Sequence, residues 1–479
     1  MSLHSDALPQ RISTGIAGLD SVLGDGLMQH GMYLLEGPPG SGKTILSAQI
    51  CFHHAHAQRK TLYVTLIAES HGKLLNNLRA FDFYDPALVP ERFILMSGYQ
   101  ELKTSGLPGL LQLVARALAE HRPSVLVIDG YRSLRMLAPD AATTAEFIYE
   151  LNTLITTTKS LCLLLAPRDD SGAWAEKTLM DGVIELHRFS VGMRSVREVE
   201  VHKLRSSAPI EGRHAFKICS AGIRVFPRLE ASAPFRNAAP DREATRCTFG
   251  IEGMDDMLHG GVLRDSATCL LGPPGSGKTI FGLHFLHQGL QAGDTGLHFG
   301  FYESPAQLLD KAANLGLDLN EAHRNGQFDI LWQPALECRP DELAMQLLEN
   351  VWQRKARRVV IDGLEGFMQS AVRPERIGRF FNALVGELRR QQVACLYTEE
   401  VPLFAREVSH GTLATSAIVD NQILLRFVRH EAGMRRTVAV LKQRESGHDH
   451  GVREFWIERG GIRVASDSDS AHAFLAERP

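Results

Sequence analysis

Residues 32–44 read MYLLEGPPGSGKT, and GPPGSGKT returns letter for letter at 272–279, behind ATCLL (267–271). The pattern G-x-x-x-x-G-K-[ST] is a phosphate cradle. Its glycines permit tight turns, successive backbone N–H groups point inward, and the following helix adds the positive end of its dipole. Gly37, Pro38, Pro39, Gly40, Ser41, Gly42, Lys43 and Thr44 make the first such loop. Gly272, Pro273, Pro274, Gly275, Ser276, Gly277, Lys278 and Thr279 make the second. In each, the lysine is expected to meet the β- and γ-phosphates of ATP, and the hydroxyl of Thr44 or Thr279 to coordinate Mg²⁺. Both loops stand behind an apolar run and ahead of a helix-compatible segment, which is the context the motif needs.

The loops belong to a longer repetition. Lys43 and Lys278 are 235 residues apart, and TGIAGLD (14–20) matches FGIEGMD (249–255) at the same offset. VLVIDG (125–130) matches VVIDG (359–363), with Asp129 and Asp362 separated by 233; HKLR (202–205) matches LKQR (441–444), with Lys203 and Lys442 separated by 239. Four landmarks in one order and at nearly one offset mark a tandem duplication. The join is expected in the proline-rich stretch 227–247, which gives domains at 11–228 and 246–464 with a linker at 229–245. The acidic, serine-rich tail 465–479 is expected to be disordered.

Within each half, short Val/Ile/Leu runs alternate with helical segments such as 107–120. Two strand-like runs then follow one another: 195–205 and 214–226 in the first half, 435–444 and 452–464 in the second. This order predicts an α/β fold: two tandem RecA-like P-loop domains, each a mostly parallel sheet flanked by helices and ending in antiparallel strands. Asp129 and Asp362 end apolar strands and resemble Walker B aspartates, which hold the Mg²⁺ shell opposite the P-loop threonine. Neither is followed by a glutamate. In RecA-like enzymes the water-orienting carboxylate follows the strand after the P-loop helix, and Glu69 and Glu303 occupy matching places there. Lys203 and Arg205, like Lys442 and Arg444, are two apart in a strand-like run, so each pair of cations faces one side and could reach a γ-phosphate.

Composition bounds the rest. The 479 residues are 44% hydrophobic and 22% charged, with a formal net charge of −3, so bulk electrostatics give no case for nucleic-acid or membrane-surface binding. Seven dispersed cysteines without a Cys-x-x-Cys pair point to reduced core thiols. No apolar h-region or 18-residue apolar run is present, and the expectation is a cytoplasmic protein that does not enter membranes. His53, His54, His56, His284 and His287 are expected on packing or surface positions, and the basic run Arg354, Lys355, Arg357, Arg358 at a solvated helix end. Two rival functions stand beside a regulatory ATPase: a DNA-acting RecA-type recombinase or helicase, and a non-hydrolysing ATP-dependent scaffold.

The chain resembles the KaiC-like ATPase family from about Ile12 to Val464, in its Walker motifs, in TGIAGLD and FGIEGMD, and in ESPAQLLDKAANLGLDL (303–319) and KQRESGHDHGVREFWI (442–457). The resemblance implies a homo-oligomeric ring, usually a hexamer, with ATP at subunit interfaces and with Lys203, Arg205, Lys442 and Arg444 acting in trans on the neighbour's nucleotide. Each site keeps a single carboxylate, Glu69 or Glu303, so hydrolysis is expected to be slow, and signalling proteins are candidate partners. The sequence departs from the family pattern at the paired catalytic glutamates, where Ala68 and Tyr302 precede Glu69 and Glu303. It departs again at the phosphorylated Ser-Thr pair, which aligns with Ser416 and Ala417. Ser416 is the single candidate phosphoacceptor, and serine autokinase activity is expected to be weak or absent.

Overall fold

The run MYLLE becomes a strand, β1 (Met32–Glu36), whose five residues are all buried. In the computed structural model, which describes residues 10–66, 71–168, 175–232, 245–334, 338–403, 418–430, 433–444, 446–469 and 471, this strand lies at the centre of a nine-stranded sheet. Around it stand β2 (Thr61–Thr65), β3 (Phe93–Ser97), β4 (Val125–Asp129), β5 (Leu161–Ala166), β6 (Gly182–Val191), β7 (Arg194–Leu204), β8 (Arg213–Cys219) and β9 (Gly222–Phe226). The order is β9-β8-β7-β6-β1-β5-β4-β2-β3. Pairing is parallel from β6 through β3 and antiparallel from β6 to β9.

The inner parallel strands β1, β2, β4 and β5 are buried on both faces, which is why they read as continuous apolar runs. Alternate residues serve opposite cores. Tyr33, Leu35, Val125, Val127, Leu161 and Leu163 enter one cluster, while Met32, Leu34, Leu126, Ile128, Cys162 and Leu164 enter the other. The helix α1 (Lys43–His56) packs into the first cluster through Leu46, Ile50 and Phe52.

The chain divides into two compact units, Met1–Ser232 and Ala233–Pro479. The second repeats the sheet with β10 (Ala267–Gly272), β11 (Gly296–Gly300), β12 (Phe328–Trp332), β13 (Arg358–Asp362), β14 (Ala394–Glu400), β15 (Asn421–His430), β16 (Gly433–Gln443), β17 (Val452–Glu458) and β18 (Gly461–Val464). Its order, β18-β17-β16-β15-β10-β14-β13-β11-β12, is the first sheet's order again. Even the irregularities recur: a β-bulge between Val183 and Ile184 where β6 pairs with β7 has its twin between Gln422 and Ile423.

Three details differ from the sequence expectations. The helical segment begins earlier, at Tyr99, and runs to His121 across a break at Gly106 (φ 64°, ψ −160°), with Pro108 opening the second part. Each late run, 214–226 and 452–464, is a two-stranded hairpin. Arg358 is not solvated: it is 2% exposed, donates to Asp294 at 3.0 Å and to the carbonyls of Thr248 and Phe285, and lies over the Phe285 ring. Within the acidic tail, Ala471 is buried against Val428. Among the described residues no helix is long and apolar enough to cross a membrane.

Candidate nucleotide sites

Each P-loop leaves the C-terminal end of the central strand and turns into a helix, α1 in the first unit and α2 (Lys278–Gln291) in the second. The turn depends on glycine. Gly42 and Gly277 sit at φ 112° and 108°, where an L side chain is strained, and an added Cβ would stand 3.0 Å from Ile218 and Ile457 respectively. The helices therefore start at the motif lysines with their first N–H groups open to the loop.

Both lysines fold back onto their own loops. Lys43 Nζ donates to the carbonyls of Gly37 (2.6 Å) and Pro38 (3.1 Å), and Lys278 Nζ to those of Gly272 (2.7 Å) and Pro273 (3.0 Å). Burial lowers the affinity of both amines for their protons. Asp129 opposes this at Lys43, and Glu400, Glu365 and Asp362 oppose it at Lys278. The hydroxyls of Ser41 and Ser276 are buried and make no hydrogen bond among the described residues. Polar atoms left in this state inside a glycine-rich loop suit an anionic ligand.

The strand-end aspartates meet the helix threonines. Thr44 Oγ1 lies 3.4 Å from Asp129 Oδ2, which also accepts from the Tyr63 hydroxyl at 2.8 Å. Thr279 Oγ1 donates to Asp362 Oδ2 at 2.8 Å, and Thr398 donates to Oδ1 at 2.8 Å. Burial pushes the Asp362 carboxyl up, but His298 at 3.7 Å and the two threonine hydroxyls outweigh it and bring it to about 2. A hydroxyl and an ionised carboxylate converging from opposite elements are the hard oxygen donors Mg²⁺ prefers, so these residues fit that ion.

The remaining predicted residues fall into two groups. Glu69 and Ser416 lie outside the described residues. Glu303 is described: its carboxylate is 2.5 Å from Lys311 Nζ, on the helix Pro305–Asn314 that follows it. Its neighbour Tyr302 borders Gly363, the residue after Asp362, so the 302–303 segment abuts the aspartate. The sequence reading missed other carboxylates. Glu400 stands 4.0 Å from Lys278, and Glu365 accepts the Glu400 backbone N–H at 2.5 Å. In the first unit Glu36 pairs with Lys177 at 2.7 Å. Glu400 carried a signal, being the last letter of ACLYTEE (394–400), where an apolar strand ends in two acids.

The paired cations occupy equivalent places. Lys203 donates to the carbonyls of Lys177 and Thr178, and Arg205 to Thr178 at 3.0 Å. Lys442 donates to Val419. Arg205 also meets Oδ1 of Asp181 at 3.5 Å, and the other oxygen of that carboxylate accepts the Met32 N–H at the root of β1. Arg444 stands 3.8 Å from Oδ1 of Asp420, whose other oxygen accepts the Ala267 N–H at the root of β10. The histidines pack as expected: His54 bonds the Ser13 carbonyl, and His284 accepts from Ile462 N–H.

A model of the KaiC ATPase family matches residues 12–230 and again 247–469. The circadian clock oscillator protein KaiC of Picosynechococcus sp. is 27% identical to this chain, over 98% of it and 92% of the relative. Circadian clock oscillator protein KaiC 1 of Synechocystis sp. is 25% identical over 98% and 92%. Circadian clock protein KaiC3 of the same organism is 24% identical over 98% and 94%. Two family domains, each carrying a P-loop backed by a strand-end aspartate, place this chain in the KaiC ATPase family.

Proposed function

We propose that the chain is a regulatory ATPase that binds Mg·ATP at both P-loops and hydrolyses it slowly at the subunit interfaces of a cytoplasmic homo-oligomeric ring, a hexamer by family resemblance. One observation carries the reading: the same constellation of loop, lysine, threonine and strand-end aspartate occurs twice, with the lysine 2.6 and 2.7 Å from its loop carbonyl and the threonine 3.4 and 2.8 Å from its aspartate. Lys43 and Lys278 exchange loop carbonyls for phosphate oxygens. Thr44 with Asp129, and Thr279 with Asp362, hold Mg²⁺, which supplies charge neutralisation at the β- and γ-phosphates when bound. Glu69 and Glu303 orient the attacking water, and Lys203, Arg205, Lys442 and Arg444 reach a neighbour's nucleotide.

Serine autokinase activity is weak or absent in this reading. Burial, and then the charges of Glu365, Glu400 and Asp362, raise the Tyr302 phenol, which stays protonated and supplies no base to an acceptor hydroxyl. Any phosphate acquired falls on Ser416, and intact-mass spectrometry of Ser416→Ala after incubation with Mg·ATP checks this. The Glu303–Lys311 ion pair favours a second reading, a non-hydrolysing scaffold that uses ATP to assemble and recruit signalling partners. Equilibrium dialysis and phosphate release on wild type, Lys43→Ala and Lys278→Ala are the test. Each variant should lose one class of ATP site and keep the other. Equal stoichiometry in all three would refute the two-site reading, and binding without phosphate release would select the scaffold.

A further inference from the structure

The hairpin of β6 and β7 carries a side-chain cluster that nucleotide binding does not use. Glu185 and His187 are two apart on β6, Glu200 and His202 two apart on β7, and Glu185 is the direct cross-strand partner of Glu200. Residues two apart on a strand share a face. His202 sits at the β-bulge, between Val201 (opposite Ile184) and Lys203 (opposite Val183), and its Nε2 reaches Glu185 Oε2 at 2.7 Å. His187 Nε2 lies 2.9 Å from Glu200 Oε2, and His202 Nε2 lies 3.9 Å from that same oxygen. One donor atom from each of the four residues falls within 4.8 Å of all the others.

The arrangement leaves one buried carboxylate oxygen without a hydrogen bond among the described residues. Two carboxylates stand directly opposite on paired strands, where like charges repel. Glu185 is 6% exposed and His187 4% exposed. Oε1 of Glu185 makes no hydrogen bond among the described residues, although His187 Nδ1 and Arg168 Nε both stand 3.3 Å away. The fold does not demand these side chains. At the offset of 239 that relates the two hairpins, the second unit has Leu424, Arg426, Ala439 and Leu441 in their places, and its hairpin pairs in the same register with the same bulge.

We propose that Glu185, His187, Glu200 and His202 form a binding site for a divalent transition-metal ion, zinc foremost, with one nitrogen from each imidazole and one oxygen from each carboxylate. Mixed imidazole and carboxylate donors suit zinc, whereas Mg²⁺ and Ca²⁺ take oxygen sets. A tetrahedral ion with bonds of about 2.0–2.2 Å separates its ligands by roughly 3.3–3.5 Å. The separations of 2.7, 2.9 and 3.9 Å bracket that span, so small side-chain shifts open the centre. Two carboxylates neutralise the dication. Arg213, which donates to Glu200 at 3.0 Å, and Arg168 beside Glu185 then act as outer partners that fix the ligands. Access is provided by a cavity of about 570 Å³ that Glu185 and His202 line together with Lys177 and Lys203. An ion here ties β6 to β7 beside the cations proposed to act in trans.

The test uses the full chain, stripped with a chelator and free of nucleotide. Zinc alone is titrated by calorimetry, and cobalt alone is followed by visible absorption. The expected result is one tight zinc site per chain and the intense bands of four-coordinate cobalt. His202→Leu and Glu200→Ala, which install the second unit's residues, should each weaken zinc binding by about a hundredfold and remove the bands. Zinc should raise the melting temperature of the wild type and of neither variant. Circular dichroism verifies that each variant is folded, and either one suffices for the comparison. No zinc uptake by the wild type, a six-coordinate cobalt spectrum, or wild-type affinity in a folded variant overturns the proposal.

Discussion

His284→Gln should flatten the acid sensitivity of the second unit while leaving its last hairpin intact. The turn between β17 and β18 places Gly461 at φ 99°, and the next N–H, that of Ile462, donates to His284 Nε2 at 2.9 Å. In the first unit Gly222 sits at φ 97°, and Ile223 N–H donates to Oε1 of Gln49 at 2.7 Å. Gln49 and Lys43 are as far apart as His284 and Lys278, so glutamine and histidine do one job in two copies. A carboxamide oxygen accepts at any ordinary pH, whereas an imidazole nitrogen accepts only when unprotonated. Burial, and after it the neighbouring His287, lowers the His284 imidazole from 6.5 to about 4. At about 1.4 kcal/mol per pH unit the gap is worth about 3 kcal/mol. The folded state needs the neutral ring, while the unfolded chain takes up a proton near pH 6.5. The contribution is therefore complete above pH 6.5, declines as pH falls towards 4, and is spent below that. Urea unfolding of the full chain at several values between pH 7.5 and 4.5, followed by the fluorescence of Trp456 on β17 and the other tryptophans, measures it. His284→Gln should lose about one proton's worth of slope over that interval. His284→Ala, which leaves the Ile462 N–H unsatisfied, should cost about 1–3 kcal/mol even at pH 7.5. The same pH dependence in wild type and His284→Gln would show that the ring is not the acceptor that matters.

Three further outcomes are expected. Glu303→Gln should cut phosphate release sharply, and Lys311→Ala, which frees the Glu303 carboxylate, should raise it; a drop in Lys311→Ala would assign the lysine itself to turnover. Arg205→Ala and Arg444→Ala should weaken ATP-dependent assembly, measured by light scattering, more than they weaken nucleotide binding. Asp294→Ala strands the buried Arg358 guanidinium and should cost about 3–5 kcal/mol in thermal unfolding, whereas a surface ion-pair deletion costs under about 1 kcal/mol.

Much of the fold was legible because the informative residues are tied to local motifs. GPPGSGKT fixes a strand before it and a helix after it, and the duplication verifies each landmark against a second copy. Asp129 and Asp362 could be read as strand ends because apolar runs precede them, and the structure brings each within reach of its P-loop threonine. Contacts set by register were not legible. Glu185-Leu186-His187 and Glu200-Val201-His202 are both E-x-H on strands, yet only the pairing of β6 with β7 shows that the four side chains meet. Arg358 looked like the end of a basic run because charge is visible in sequence, while its partner Asp294, 64 residues earlier, is not. Nor could periodicity find the helix from Tyr99, since Gly106 and Pro108 read as breakers and the structure absorbs both at one kink.

Asp181 and Asp420 divide their two oxygens alike, with Arg389 as an added donor to the strand-holding oxygen of Asp420. One oxygen moors the first residue of the strand that leads into the P-loop, and the other faces the arginine proposed to visit a neighbour. The arginine side chain can thus unlatch and swing outward without casting off the strand. Its backbone N–H stays bonded to the aspartate carbonyl at 2.8 Å in one unit and 2.9 Å in the other, so the hinge holds as well. Loading one subunit's site therefore need not slacken the site of the subunit that lends the cation. In the ring proposed above, an arginine that leaves for a neighbour would keep its own subunit's cradle taut.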